Sequence, residues 1–199
     1  MLQVILACYK EIEERVGLMN ENGNGSLMRI LPVALYAYSK NLDDISIRKL
    51  TNEVSSLTHA HEISRLGCYI YVQFIICLLK GKTKEEAYKH IQDLDYCSFT
   101  MDSINRYTRI LDEQIEVQIL DNIKSSGYIV DTLECAMWIF MNAQHYKEAI
   151  IASTNIGGDT DTIGAIVGSM AGIYYGFESI PSNWLDKLQR KEYLMELAS

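Results

Sequence analysis

The stretch EISRLGCYIYVQFIICLL, from Glu62 to Leu79, carries apolar side chains on almost every face of a helix. Such a helix is typical of the interior of a bundle, where other helices surround it. Gly81 is expected to end this helix, because glycine readily adopts the left-handed conformation that closes one. Outward from this stretch, apolar residues recur every three or four positions in most segments, and the chain has only 2 prolines. The sequence therefore predicts an all-α fold, with residues 1–199 in a single helical domain.

Shorter amphipathic segments flank that stretch and predict further helices. Asp43 or Asp44 is the expected N-cap of one of them, since aspartate accepts hydrogen bonds from the first amides of a helix. Gly164, Gly168 and Gly172 are spaced four apart and predict a ridge of small residues that another helix can approach closely. The predicted helices cover 1–16, 30–38, 42–57, 84–94, 101–120, 131–140, 146–153 and the glycine-ridged segment after residue 158.

The acidic balance of the chain limits its partners. Lys and Arg total 18 against 26 Asp and Glu, for a formal net charge of −8, which opposes binding to the phosphate backbone of nucleic acids. A small phosphate-bearing ligand is compatible with this charge, because amides at a helix N-terminus can hold a phosphate without a basic patch. We therefore expect no nucleic-acid partner.

The cysteines and the apolar runs bear on the cellular compartment. The 5 cysteines are odd in number and form no CxxC pair, so we expect reduced thiols and neither a disulfide framework nor a zinc ribbon. The N-terminal apolar stretch lacks the basic residues that precede a signal-peptide core. The longest apolar runs, 69–79 and 163–175, are shorter than the roughly 20 residues that a bilayer span needs. These features predict a cytoplasmic protein without a membrane partner.

The first motif with chemical potential is GNGSLMR, from Gly23 to Arg29. Its glycines permit close approach of the backbone to a ligand, and Ser26 is a candidate N-cap for the helix that follows. Amides left pointing outward would then suit a phosphate or a ribose hydroxyl. Taken alone, the pattern favours an ordinary capped loop over a ligand-binding one.

The second motif is THAHE, from Thr58 to Glu62. Zinc sites on helices place two histidines four residues apart, whereas His59 and His61 are two apart and would point to different faces. The spacing favours a Thr58 cap with one histidine hydrogen-bonded at the helix start over a metal site.

The third motif is SSGYIVDT, residues 125–132, in which a Gly-Tyr turn leads into a helix. Asp131 is the expected cap of that helix, with Glu134 in its first turn. Tyr128 beside Gly127 would be well placed to stack on a base or a ribose, although an aromatic residue there is more often part of the core.

The fourth motif is NIGGDTDT, residues 155–162, directly before the glycine-ridged helix. Carboxylates and hydroxyls are hard oxygen ligands suited to Mg²⁺ or Mn²⁺ and not to zinc. Asp159 in the turn and Asp161 and Thr162 in the first helical residues could converge on one point. Helix capping explains the same residues almost equally well, and the paired carboxylates behind a diglycine favour the metal site slightly.

Together and in this order, the motifs GNGSLMR, THAHE, GYIVDTLECAMW and NIGGDTDTIGAIVGSMAGIYYG resemble the ADP-ribosylglycohydrolase family over residues 22–197. The last motif is highly specific. The resemblance implies an orthogonal multi-helix bundle, of which this chain would form the C-terminal two-thirds without the N-terminal helices. It also implies hydrolysis of the N- or O-glycosidic bond between ADP-ribose and a modified protein side chain, at a dinuclear Mg²⁺ or Mn²⁺ centre.

The resemblance further implies roles for individual residues. Asp159, Asp161 and Thr162 would be metal ligands, and the two aspartates would be catalytic. His59 would contact the ribose, the diphosphate or the adenine. The remaining contacts to ADP-ribose would come from two loops, through Gly23, Asn24, Gly25, Ser26, Met28, Arg29, Gly127, Tyr128 and Val130.

The N-terminal segment departs from the family pattern. Members carry a glycine-rich segment and a Thr-Asp-Asp-Thr motif before the GNGSLMR loop, and these supply the other metal ligands. Here 22 residues precede the loop and none of them is aspartate. We therefore expect either a hydrolase that a separately encoded N-terminal fragment completes, or a module that binds ADP-ribose without cleaving it. A homo-oligomer that hides uncovered apolar faces is a third expectation.

Overall fold

In the computed structural model, the described residues are 22–198, so the helix predicted at 1–16 lies outside them. The described residues form eleven α-helices and no β-strand. Their only bridge-like backbone pairing is between Gly23 and Tyr128. The all-α fold class is thus confirmed.

The helices are numbered here in chain order. They are α1 (Leu31–Ser39), α2 (Asp44–Ser56), α3 (Glu62–Leu79), α4 (Lys84–Gln92), α5 (Met101–Asn105), α6 (Thr108–Leu111), α7 (Ile129–Asn142), α8 (Tyr146–Asn155), α9 (Thr160–Tyr175), α10 (Ser182–Leu185) and α11 (Lys191–Ala198). Short 3-10 turns lie at Leu27–Arg29, Ile115–Val117, Leu120–Asn122 and Phe177–Ser179.

Helix α3 is the centre of the bundle. Every residue from Leu66 to Leu78 is buried, and α1, α2, α4, α5, α7 and α9 all contact this helix. By length and composition alone α3 could cross a membrane, but 83% of its residues are covered by the rest of the structure. That burial is what a core helix shows.

Several predicted helix ends are confirmed. The Asp43 carboxylate accepts a hydrogen bond from the Ser46 amide at 2.8 Å, which makes it the N-cap of α2. Gly81 has a φ of +75° directly after α3, as expected for a helix-ending glycine. Gly164 and Gly168 face α8 closely, since a Cβ at these positions would lie 3.6 Å from Ser153 Oγ and 3.4 Å from Ile150 Cδ1.

Gly172 has no such neighbour within 4 Å. The ridge of small residues is therefore confirmed at its first two positions only.

The single helix predicted over 101–120 is wrong. The chain there forms α5, α6 and two 3-10 turns. Its buried apolar side chains still reach the core, but two of its backbone groups form hydrogen bonds with the phenol of Tyr88 instead of with each other's helix neighbours. Tyr88 donates to the Glu113 carbonyl at 3.0 Å and accepts from the Ile115 amide at 3.1 Å. A helix needs those backbone groups for its own ladder, so it cannot continue through this point.

Three predicted caps are also wrong. Ser26 is fully buried and makes no helix cap; the Cys68 thiol donates to its hydroxyl at 3.4 Å. His61, and not Thr58, caps α3, because its Nδ1 accepts from the Ile63 amide at 3.2 Å. Asp131 lies inside the first turn of α7, where it accepts from Ser126 Oγ at 2.6 Å.

Candidate functional site

Three segments of the chain meet at the N-terminus of α9. The loop that begins at Gly23 pairs with the turn at Tyr128, since the Asn24 amide donates to the Gly127 carbonyl at 3.0 Å. The Ile129 amide donates to the Asn22 carbonyl, also at 3.0 Å. These bonds bring the GNGSLMR and SSGYIVDT motifs together, beside the turn that carries Asp159.

The Asp159 backbone is held by the same turn. Its amide donates to the Ser125 carbonyl at 2.9 Å. Gly158 has a φ of +65°, and a Cβ there would lie only 2.2 Å from Ser125 O. Only glycine therefore fits between Asp159 and the Ser125 carbonyl.

The Asp159 side chain is held by Asn24. The Asn24 amide nitrogen donates to Asp159 Oδ2 at 2.5 Å and to Thr132 Oγ1 at 2.9 Å. The Asn24 hydrogen bond is the largest cause that lowers the pKa of Asp159 below its usual range, and the side chains of Asp161 and Thr162 lower it further. Asp159 is therefore an ionised carboxylate at neutral pH.

Asp161 and Thr162 follow Asp159 in the chain by two and three residues and lie in the first turn of α9. Asp161 is exposed, whereas Thr162 is buried with its Oγ1 4.0 Å from Met28 Sδ. Two carboxylates and a hydroxyl are the hard oxygen donors that Mg²⁺ and Mn²⁺ prefer. Across residues 22–198 no group of three or more His, Cys, Asp or Glu side chains could hold a metal. Asp159, Asp161 and Thr162 therefore stay a predicted ligand set.

His59 lies against the glycine loop. A Cβ at Gly25 would be 2.8 Å from His59 Cε1, and one at Gly23 would be 3.5 Å from Nε2. His59 Nδ1 is 2.8 Å from Thr58 Oγ1, and Thr58 Oγ1 also accepts from Arg29 at 2.6 Å. Either ring tautomer satisfies this contact, because a hydroxyl can both donate and accept. Nε2 is the ring nitrogen that lies nearest to Gly23.

Other residues predicted to contact substrate have different surroundings. Arg29 is engaged within the protein, since its guanidinium donates to the Val54 carbonyl at 3.1 Å as well as to Thr58. Ser26 lies behind the loop against Cys68, and Met28 is 54% exposed. The structure therefore brings Asn24, Gly127 and Asp159 into direct contact, while Arg29 and Ser26 support the loop from behind.

A cleft opens beside Tyr128. Its volume is about 320 Å³, and Tyr128 and Val130 form part of its wall. Glu134 is buried at its base, which raises the pKa of this carboxyl, and Arg109 opposes that rise through a contact of 3.1 Å. The other lining residues are Asn105, Arg106, Thr108, Lys124 and Asp131.

Two features of the site have no local signal in the sequence. Thr132 belongs to the third motif, but its contact with Asn24 joins positions 108 residues apart. Asn105, Arg106 and Thr108 come from the segment that was predicted as one long helix. No pattern local to either segment signals these contacts.

Known proteins are similar to this chain in sequence and in fold. The model of a family described as ADP-ribosylglycohydrolase matches residues 6–199. An ADP-ribosylarginine hydrolase, Tri1, of Serratia proteamaculans is 31% identical over 88% of this chain and 45% of its own length. An ADP-ribosyl-[dinitrogen reductase] glycohydrolase of Rhodospirillum rubrum is 30% identical over 85% of this chain and 51% of its own length.

A solved structure is similar as well. It is titled as an ADP-ribosylglycohydrolase-related protein complex and superposes with a TM-score of 0.76 and 27% identity, over 92% of this chain and 60% of that one. The chain spans about half the length of the curated relatives it matches.

Proposed function

We propose that this chain, which belongs to the ADP-ribosylglycohydrolase family, supplies the ADP-ribose pocket and one side of the metal site of a hydrolase. The reaction would cleave the N- or O-glycosidic bond between ADP-ribose and a modified protein side chain. One observation carries the proposal: the ionised Asp159 carboxylate is fixed by Asn24 next to Asp161 and Thr162. The glycine loop and the Tyr128 turn are hydrogen-bonded to each other beside that carboxylate.

The architecture around Asp159 suits an anionic nucleotide. Helices α3, α7 and α9 all begin near the site, since Ser64 of α3 donates to Asn22 Oδ1 at 2.8 Å, and α7 and α9 follow the Tyr128 and Asp159 turns. The N-terminal amides of a helix carry partial positive charge and attract phosphate groups. This supports a diphosphate-bearing ligand despite the net charge of −8.

The proposed reaction is a hydrolysis. Water forms a bond to the anomeric carbon of the distal ribose, the bond to the acceptor nitrogen or oxygen breaks, and a proton from water passes to the leaving group. A pair of Mg²⁺ or Mn²⁺ ions would supply Lewis-acid polarisation of the ribose hydroxyls, with Asp159, Asp161 and Thr162 as ligands on this side.

The chain's own residues would position the ribose. Asn24 fixes the direction of the Asp159 carboxylate, His59 lies against the neighbouring glycine loop, and Tyr128 offers an aromatic face.

The names of the relatives suggest the first substrate to test. The Serratia proteamaculans relative is an ADP-ribosylarginine hydrolase, so ADP-ribosylarginine with Mg²⁺ or Mn²⁺ is the assay of choice. Asp159→Asn and Asp161→Asn are each expected to reduce release of ADP-ribose by at least about a hundredfold. Asp93→Asn is the matched control, because Asp93 forms an exposed ion pair with Lys89 on α4. Equal rates for Asp159→Asn and the parent chain would contradict the proposal.

A partner polypeptide is part of the proposal. A segment with a Thr-Asp-Asp-Thr motif, encoded separately or upstream, would supply the carboxylates of the other side of the metal site. The assay is therefore run with and without such a segment, and the Asp159 variant must abolish whatever activity the complete assembly shows.

A second candidate function is recognition of ADP-ribose without cleavage. It is favoured by the two hydrogen-bonded loops beside Asp159, while no group of three or more His, Cys, Asp or Glu side chains among residues 22–198 could hold a metal. Calorimetry with ADP-ribose separates the two candidates. Binding without any release of product, even with the added segment, would favour the module, and no heat at millimolar ADP-ribose would contradict it.

A further inference from the structure

The hydroxyl of Thr132 lies at the centre of the hydrogen bonds behind Asp159. Thr132 is in the first turn of α7 and is fully buried. Its Oγ1 donates to the Ser126 carbonyl at 2.9 Å and accepts from the Asn24 side-chain nitrogen at 2.9 Å. The same Asn24 nitrogen donates its second hydrogen to Asp159 Oδ2. Thr132 thus connects the Ser126 turn to the carboxylate through one amide.

The direction of each bond follows from the chemistry of the groups. A carbonyl can only accept, so the single Thr132 hydroxyl proton goes to Ser126 O. Thr132 Oγ1 can then only accept a hydrogen bond from Asn24. An ionised carboxylate can only accept hydrogen bonds, so Asp159 also requires the Asn24 side-chain nitrogen as its donor. The Asn24 side chain is held in one of its two flipped orientations, with both hydrogens used and Oδ1 as its remaining polar atom.

We propose that Thr132 is a positioning residue for Asp159, acting through the orientation of the Asn24 amide. This inference rests on the proposed function for its consequence, because a turned Asn24 would present an oxygen to the carboxylate and displace it from the metal site. The hydrogen-bond arrangement itself requires no bound ligand. Residues that orient a ligand in this way typically affect metal affinity tenfold or more.

The decisive variant is Thr132→Val, which keeps the shape of the side chain and removes the hydroxyl. Exchange of the Asn24 side-chain amide protons is measured by NMR on nitrogen-15-labelled protein, with the signals assigned by their absence in Asn24→Ala. In Thr132→Val these protons are expected to exchange about tenfold faster, as follows from the loss of one hydrogen bond. Mn²⁺ affinity, measured by titration, is expected to fall roughly tenfold.

Thr132→Ser restores the hydroxyl and is expected to return both values to those of the parent. Thr51→Val is the matched control, because Thr51 is equally buried and its hydroxyl donates to the Ile47 carbonyl on α2. It should change neither readout. If Thr132→Val does not fold, Thr132→Ala takes its place in the same measurements.

The outcomes separate this inference from the proposed function. Unchanged Asn24 exchange in Thr132→Val overturns the positioning role, whatever happens to Mn²⁺. If the parent chain binds no Mn²⁺ even with the added Thr-Asp-Asp-Thr segment, the proposed metal chemistry of this chain fails, and the exchange measurement alone decides the role of Thr132. Loss of Mn²⁺ affinity in Thr132→Ser as severe as in Thr132→Val would also contradict it, since serine retains the hydroxyl.

Discussion

At the scale of single residues, the position of Asp159 depends on Gly158. This glycine combines a φ of +65° with a contact that leaves no space for a Cβ, 2.2 Å from Ser125 O. We expect Gly158→Ala to lower the free energy of unfolding by about 2 kcal/mol or more, because an L-residue pays for the left-handed conformation and the turn must also open. Urea unfolding followed by circular dichroism measures this loss.

Gly157 provides the comparison for that prediction. Its φ is +83°, but a Cβ there would meet no atom within 4 Å. Gly157→Ala should therefore cost only the backbone strain, about 1 kcal/mol. It should also retain more ligand binding than Gly158→Ala, which shifts Asp159 itself. Equal effects of the two variants would show that the contact with Ser125 does not matter.

The structure brings three of the motifs together, but the contacts between them could not be predicted from the sequence. GNGSLMR, GYIVDT and NIGGDTDT meet at Asp159, and the binding roles that the family resemblance implies for them stay predictions. The role of Asn24 could not be predicted, since its bond to Asp159 spans 135 positions of the chain. Ser26 has the local signature of an N-cap, yet burial against Cys68 directs its hydroxyl elsewhere. A cap is a local property only while the side chain stays at the surface.

At the scale of helices, Glu62 joins the start of α3 to the start of α5. Its Oε2 accepts hydrogen bonds from the Thr100 amide at 3.1 Å and the Ser103 hydroxyl at 2.7 Å, and from the Thr100 hydroxyl. Burial raises the pKa of Glu62, but these hydrogen bonds outweigh it and hold the pKa below its ordinary value of 4.5. The ionised form therefore stabilises the folded state above pH 4.5, and this contribution is lost as the pH falls through the lower folded pKa.

We predict a pH-dependent difference between Glu62→Gln and the parent. At pH 6 the variant should melt at a lower temperature than the parent, and the difference should shrink as the pH falls through the lowered pKa of folded Glu62, because the parent carboxylate then becomes protonated. Glu53→Gln is the control, since Glu53 is exposed and pairs with Lys49 at 4.0 Å. The melting temperature of Glu53→Gln should stay close to that of the parent across this pH range. A Glu62→Gln difference that stays constant with pH would rule out this explanation.

Lys84 joins α4 to the end of α7. It is 6% exposed, and its ammonium donates to the carbonyls of Phe140 at 2.6 Å and Ala143 at 2.5 Å. It also lies 4.6 Å from the centre of the Phe140 ring. Lys84→Met should lower the free energy of unfolding by about 2 kcal/mol, because it removes the Lys84 hydrogen bond to the Phe140 carbonyl at a helix C-terminus, while Tyr175 still donates to the Ala143 carbonyl at 2.7 Å.

The control for Lys84 is Lys89→Met on the same helix, whose exposed side chain pairs with Asp93 at 2.7 Å. An exposed ion pair of this kind contributes less than about 1 kcal/mol. Denaturant unfolding of the two variants side by side tests the difference. A loss for Lys84→Met no larger than that for Lys89→Met would mean that the contact with α7 is not stabilising.

Helices with a continuous apolar pattern were predictable, and the one that tertiary contacts interrupt was not. Predictions for α2 and α3 match the structure within about two residues, because local caps and burial agree there. The segment 101–120 has the same periodicity, but its ladder is broken by Tyr88 from a different helix. The periodicity of a segment cannot indicate that a tyrosine from another helix will form hydrogen bonds with the backbone of that segment.

At the scale of the whole molecule, the site rests on the packing of three helices. Helices α3, α7 and α9 contact one another in the interior, and the three begin around Asp159 and Asn22. The Phe74 ring of α3 meets Phe140 of α7 edge to face with 5.8 Å between centroids, and Phe140 meets Tyr174 of α9 in the same way at 5.8 Å. These ring contacts lie near the ends of the three helices, away from the helix starts at the site.

Phe74→Ala tests whether that core makes residues 22–198 one cooperative unit, as the predicted single domain requires. Phe74 is fully buried, so its truncation should lower the free energy of unfolding by about 3–5 kcal/mol. Circular dichroism and tryptophan fluorescence should report one coincident urea transition, shifted as a whole. Ile45→Ala, at a side chain that is 73% exposed, should leave the midpoint within experimental error. If the two probes separate in Phe74→Ala, α3 does not couple the parts of the chain, and the helix starts at Asp159 could loosen independently of the core.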